Sequence, residues 1–133
     1  MSPRLLLDTH VLLNWLFRPK RLLKEQRRVI EAASDRGEPM ALAATTLLEV
    51  AILITDGELQ LKSSLGEFLQ WLEDNPVFRI MPLNAAIATE AGSMVQLRDP
   101  ADRAITATAR VHGLRLVTSD HRIIDSNLVS TIE

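Results

Sequence analysis

Five carboxylates stand at the end of an expected strand or in the first turn of an expected helix: Asp8, Glu49, Asp99, Asp102 and Asp120. Asp8 closes the run Leu5-Leu6-Leu7 and is followed by Thr9, a residue suited to cap the next helix. Asp120 repeats the pattern after Leu116-Val117-Thr118-Ser119. Each acid alone has a plain explanation, because a carboxylate at a helix start complements the unpaired N–H groups and the dipole there. The recurrence argues for more. In a parallel sheet with right-handed crossovers, all strand carboxyl ends face one side, so acids from separate segments converge on one rim. Carboxylates held together raise one another's pKa values unless a cation neutralises them. An oxygen-only donor set in a chain without cysteine selects Mg²⁺ or Mn²⁺ over zinc. The chemistry such a site suits is metal-assisted hydrolysis of a phosphodiester. No Ser-His-Asp or Cys-His set competes with it. The three histidines are scattered: His112 falls near a helix end, and His10, beside Asp8, is the histidine expected to face the cleft, where it orients or packs.

The elements that must position these acids follow from periodicity. Residues 5–7 read as a strand buried on both faces, which need not alternate. Val11, Leu12, Trp15 and Leu16 recur at helical spacing, and that helix stops before Pro19. The stretch 18–30 interleaves Arg18, Lys20, Arg21, Lys24, Arg27 and Arg28 with Leu22, Leu23, Val29 and Ile30, the pattern of an amphipathic helix with a basic outer face. Gly37-Glu38-Pro39 breaks the chain before a second strand at 40–44, after which Thr45 or Thr46 is placed to cap a helix carrying Glu49 near its start. A helix over 65–72 holds Trp71, read as packing rather than as a platform for a base. A third strand over 77–81 precedes an Ala-rich helix over 84–97. Asp99 and Pro100 suit the cap and first position of a helix carrying Asp102 and stopping at Gly113. Strands over 114–117 and 128–132 complete an α/β sandwich on a parallel sheet of about five strands.

One domain over residues 1–133 is expected, long enough to bury a core without disulfides. Aromatics are only 4% of a chain that is 47% hydrophobic, so that core is built from Leu, Ile, Val and Ala. The lack of cysteine excludes a disulfide scaffold and a thiol nucleophile, and no apolar run is long enough to span a bilayer, so a soluble cytoplasmic protein is expected. A net charge of −2 is unusual for a nucleic-acid binder, but an acidic cleft within a basic rim averages to such a value.

Four blocks carry a family resemblance. Leu5-Leu6-Leu7-Asp8-Thr9-His10, Thr46-Leu47-Leu48-Glu49-Val50-Ala51, the run from Asp99-Pro100-Ala101-Asp102-Arg103 to Ala109, and Leu116-Val117-Thr118-Ser119-Asp120 resemble, in order and spacing, the motif blocks of PIN-domain nucleases. The nearest resemblance is to VapC-like toxins of toxin–antitoxin pairs, in the subgroup opening on Asp-Thr-His. It implies a three-layer α/β/α sandwich with strand order 3-2-1-4-5 and a Mg²⁺- or Mn²⁺-dependent endoribonuclease. By motif position Asp8, Glu49, Asp102 and Asp120 match the acidic quartet, and Asp99 an additional acid. Asp8 and Asp102 are expected to make most of the direct metal contact, with Asp120 and Glu49 acting partly through water. Thr9 and Thr118 match supporting hydroxyls, while Arg18, Lys20, Arg21 and Arg103 are candidate contacts to RNA phosphates. Leu48 stands where this subgroup often has Trp, and Leu97 where it often has His. The resemblance further implies an RNA substrate, a homodimer, and a small cognate antitoxin whose C-terminal segment occupies the active-site groove. A basic side chain inserted there would compete with the metal for the same acids.

Two other readings compete. A phosphoacceptor domain would use Asp8 as nucleophile, but His10 stands where a dehalogenase-like site needs a second Asp. Pro82 and the missing late Lys argue against a receiver domain. A catalytically silent PIN-like module binding RNA or protein would be expected to lose one or more acids, whereas all four are present.

Overall fold

The computed structural model describes residues 1–133. Its five strands are β1 (Leu5–Leu7), β2 (Met40–Ala43), β3 (Phe78–Met81), β4 (Arg115–Val117) and β5 (Thr131–Ile132). They form one sheet in the order β3-β2-β1-β4-β5, with every pair parallel. The helices are α1 (Thr9–Phe17), α2 (Lys24–Asp35), α3 (Ala44–Thr55), α4 (Leu65–Asp74), α5 (Ala85–Gly92), α6 (Pro100–His112) and α7 (His121–Ile124). The central strand β1 pairs Leu6 with Ala41 on one side and with Leu116 on the other. Its alternate side chains serve two cores. Leu5 and Leu7 join Leu12, Ile30, Val50 and Leu72 of α1 to α4, whereas Leu6 joins Leu116, Ile105, Ala109 and Ile123 of β4, α6 and α7. Both faces of the sheet are covered by helices, which is why its inner strands read as unbroken apolar runs. The three-layer sandwich, its parallel sheet and its strand order agree with the expectation.

Several local expectations shift, each for a physical reason. Asp8, not Thr9, caps α1: its carboxylate accepts the Thr9 N–H at 2.8 Å and its carbonyl the Leu12 N–H at 3.0 Å. No side chain caps α3. Its N-cap is Ala43; Thr46 bonds elsewhere, and the buried Thr45 hydroxyl has no partner. The basic helix begins later than its periodicity suggests, at Lys24, because Pro19 starts a 3-10 turn that takes up Lys20 and Arg21. Within that turn region the Leu23 N–H is satisfied by Gln26 Oε1 at 3.2 Å, half of a capping box. The Ala-rich helix α5 stops at Gly92, where the Ser93 hydroxyl donates to the Glu90 carbonyl at 2.7 Å; tight turns then bury Met94 and Leu97. The short helix α7 is one that the sequence pattern does not predict. No helix is long and apolar enough to cross a membrane.

Candidate active site

Because every strand runs the same way, β1, β2 and β4 deliver their carboxyl ends to one rim, and the acids enter there. Asp8 caps α1 directly after β1, and Asp120 caps α7 three residues beyond the end of β4. Asp102 falls in the first turn of α6, set by its Asp99 cap and Pro100 at the first position. Glu49 is in the second turn of α3, beyond the strong part of the helix dipole, so its placement has another cause.

That cause is a set of buried hydroxyls. Thr9 donates to Glu49 Oε1 at 2.8 Å and, having no second proton, accepts from Thr46 across 3.0 Å. Thr118 donates to Asp8 Oδ2 at 2.7 Å and accepts the Asp120 N–H at 3.0 Å. Thr9, Thr46 and Thr118 are all fully buried. Two threonines from opposite ends of the chain therefore fix two of the carboxylates, Thr9 holding Glu49 and Thr118 holding Asp8, while Thr118 also ties down the Asp120 backbone. Buried Gln26, on the inner face of α2, reaches Ser119 at 2.7 Å and secures the loop between Thr118 and Asp120.

Electrostatics tie the five acids into one group. Burial, with the charge of Asp120 behind it, raises the Asp8 carboxyl against the hydrogen bonds from Thr118 and Thr9. Burial raises Glu49, with Asp8 and Asp99 adding to it. Asp102 is pushed up to about 6, first by burial and then by Asp120 and Asp99. Asp120 moves the other way, because Arg122 hydrogen-bonds it. Three acids that resist ionisation on one rim, with only oxygen donors, have the chemistry of a site for a hard divalent cation. As placed, no group of three His, Asp or Glu side chains is arranged ready to hold an ion. Asp8 is turned to its two hydroxyl and amide donors, and Asp120 to Arg122.

A cleft of about 250 Å³ opens between Asp8, His10, Val11, Asn14, Ser119 and Asp120. His10 and Asn14 also line a second recess of about 250 Å³ that contains Arg18 and Arg21 together with one acid, Glu58. The acids are thus continuous with a basic lip, and the Arg18 Nε there is buried without a partner. Lys20 is exposed beside them but lines neither recess. Arg103 is engaged elsewhere, its Nε donating to the Leu97 carbonyl. Sequence reasoning missed Gln26, Thr46, Asn14, Ser119 and Arg122. Gln26 had a signal, a polar residue on the apolar stripe between Leu22 and Ile30; Thr46 and Ser119 lie inside the second and fourth motif blocks, and Asn14 and Arg122 had none. Trp71 is 45% exposed, stacked on Phe68 with ring centroids 5.9 Å apart. It walls a separate groove of about 640 Å³ with Leu16, Phe17, Leu61 and Phe68, lined by none of the five acids.

Comparison with known proteins bears on this geometry. The model of the family described as PIN domain matches residues 5–126. The chain is 39% identical over 119 residues to Ribonuclease VapC22 of Mycobacterium tuberculosis (strain ATCC 25618 / H37Rv), covering 89% of this chain and 88% of that one. Among solved structures it is similar to FitAcB from Neisseria gonorrhoeae, with a TM-score of 0.63 and 26% identity over 97% of this chain and 96% of that one. It shares the fold of VapBC2 from Rickettsia felis, bound there to a DNA fragment from the promoter, with a TM-score of 0.71 and 12% identity over 96% of both chains. A toxin-antitoxin complex from Klebsiella pneumoniae has the same fold, with a TM-score of 0.67 and 21% identity over 96% of this chain and 95% of that one.

Proposed function

The chain belongs to the PIN domain family, in its VapC branch, and on that premise we propose that it is an endoribonuclease that hydrolyses RNA phosphodiesters at the acid rim, the toxin of a toxin–antitoxin pair. The observation that carries this is the single charge-coupled group formed by Asp8, Glu49, Asp99, Asp102 and Asp120 from four separate segments. In this reading Asp8 and Asp102 would hold Mg²⁺ or Mn²⁺ most directly, Asp120 and Glu49 would act partly through water, and Asp99 would add charge. When bound, the ion supplies an activated water and neutralises charge on the phosphate. Thr118 and Thr9 keep the acids aimed and ionisable by donating to Asp8 and Glu49. Arg18 and Arg21, continuous with the cleft, hold the RNA backbone without reading its bases.

The partners belong to the same proposal. A small antitoxin places its C-terminal segment across the acid groove, where a basic side chain engages the carboxylates. The exposed aromatic groove of Phe17, Phe68 and Trp71 suits an apolar part of that partner. A homodimer is favoured by Leu48 and Ile52, one turn apart on α3 and 62% and 49% exposed. Sedimentation of the native chain beside Leu48→Glu reads that state, a monomer in both arguing against it.

Cleavage of a structured RNA pool by the native chain, Asp8→Asn and Asp102→Asn in Mn²⁺, Mg²⁺ and EDTA tests the activity. Cutting by the native chain with metal, at least roughly a hundredfold slower in both variants, is expected. Equal cutting by all three chains would sink the reading. One observation favours a catalytically silent binding module instead: Arg122 sits against two of the acids. An inert native chain that still binds RNA would support that alternative.

A further inference from the structure

Arg122 is the cation closest to the acids at the rim, and their proposed role leaves it unexplained. It is the second residue of α7, immediately beyond Asp120 and His121. Its guanidinium makes a two-pronged pair with Asp120, Nε to Oδ1 at 3.1 Å and Nη2 to Oδ2 at 2.8 Å. The same Nη2 stands 3.5 Å from Asp102 Oδ2, so one cation bridges acids at the starts of two helices. The acids are 21% and 17% exposed, but Arg122 is 70% exposed and reaches them from the solvent side. Its backbone N–H is capped by that same Asp120 Oδ1 at 2.9 Å, a bond that does not involve the guanidinium. The arm can swing away while α7 stays in place.

We propose that Arg122 is an exchangeable cation: its guanidinium and the divalent ion take the Asp102–Asp120 pair in turn, and the released arm then binds a phosphate of the RNA strand. The inference rests on the reading of the acids as a metal site. Two arguments support it. The guanidinium is 70% exposed and brings one charge to two acids, so a divalent cation with twice that charge competes for the pair. A released guanidinium is also the side chain best shaped for a phosphate, with planar paired donors and a charge that never titrates. Arg122 shares its recess of about 230 Å³ with Arg98, Asp99 and Asp102, so the freed arm remains at the edge of the proposed reaction centre.

Calorimetric titration of MnCl₂ into the native chain, Arg122→Gln, Arg122→Lys and Asp120→Asn tests the exchange. A short oligoribonucleotide binding by fluorescence anisotropy in Ca²⁺ tests the released arm. Arg122→Gln is expected to bind Mn²⁺ about fivefold more tightly and the RNA more weakly. Arg122→Lys should fall between it and the native chain, and Asp120→Asn should lose Mn²⁺ affinity. Equal Mn²⁺ affinity in the native chain and Arg122→Gln overturns the exchange while the metal reading stands. No Mn²⁺ binding by either chain overturns the metal reading and the exchange with it. Tighter Mn²⁺ with unchanged RNA affinity removes the phosphate role and leaves Arg122 a competitor.

Discussion

Asp102 stands among like charges, and its titration has a consequence for stability. Its carboxyl sits at about 6 in the fold, whereas an unperturbed aspartate lies at about 3.9. The folded chain therefore binds that proton more tightly than the unfolded one. The stabilisation is complete below about pH 4 and is lost as pH rises through about 6. Asp120, lowered by Arg122, has the opposite sense: its contribution is present above its unfolded value and is lost as pH falls. In EDTA, Asp102→Asn is expected to raise stability at about pH 7.5 by about 1 kcal/mol, discounted for solvent screening, and by less toward about pH 4. Thermal melts across pH read this, and a native-like pH slope in the variant would contradict it. Glu49 and Asp8 are raised in the same sense by burial, so part of the slope remains after the substitution.

Helix α6 shows how an element aims an acid. Asp99 accepts the N–H of Ala101 at 2.8 Å and of Asp102 at 3.3 Å, Pro100 starts the first turn, and Gly113 ends the helix at φ 66°. The cap that starts the helix thus orients the turn carrying Asp102. Asp99→Ala is expected to cost about 1 kcal/mol, lowering the melting temperature by roughly 4 °C. Asp99→Ser keeps a capping oxygen and should recover most of that stability. Comparing the two separates the roles of Asp99: cleavage that tracks stability marks a cap, whereas cleavage abolished in the stable Ser variant marks a charge needed at the site. Helix α1 works similarly, with Asp8 as both cap and candidate ligand. A sequence reading that assigns the cap to Thr9 misplaces the boundary by one residue and hides that Thr9's hydroxyl is free to hold Glu49.

Across the whole molecule, the net charge of −2 conceals segregation. The acids gather at the carboxyl ends of β1, β2 and β4, and the basic lip of Arg18 and Arg21 borders them. An RNA strand lying from lip to acids would displace counterions at the lip. Arg18→Glu or Arg21→Glu is expected to weaken RNA binding and to reduce the slope of log affinity against log salt by about one unit for each phosphate no longer neutralised. Anisotropy titrations at several salt concentrations measure both, and an unchanged slope would discard the lip as a binding surface for phosphates. Repulsion from the acids is expected to offset attraction by the arginines when no cation is bound, so RNA affinity should rise when Ca²⁺ is added.

Sequence by itself determined the layers, the sheet and the acids that cluster, because burial on two faces leaves unbroken apolar runs and parallel strands put their carboxyl ends on one side. Leu5 to Leu7 and Leu116-Val117 carry that pattern openly, with Asp8 and Asp120 just beyond them. Pairings between distant segments required the tertiary structure. Thr9 meets Glu49 across 40 residues, Thr118 meets Asp8 across 110, and Gln26 meets Ser119 across 93. Nothing local encodes such pairs, since a hydroxyl or amide finds its partner only when packing brings it there. Arg122 is the clearest case. Along the chain it is one basic residue after an acid, and only the approach of α6 to α7 places its guanidinium between Asp102 and Asp120.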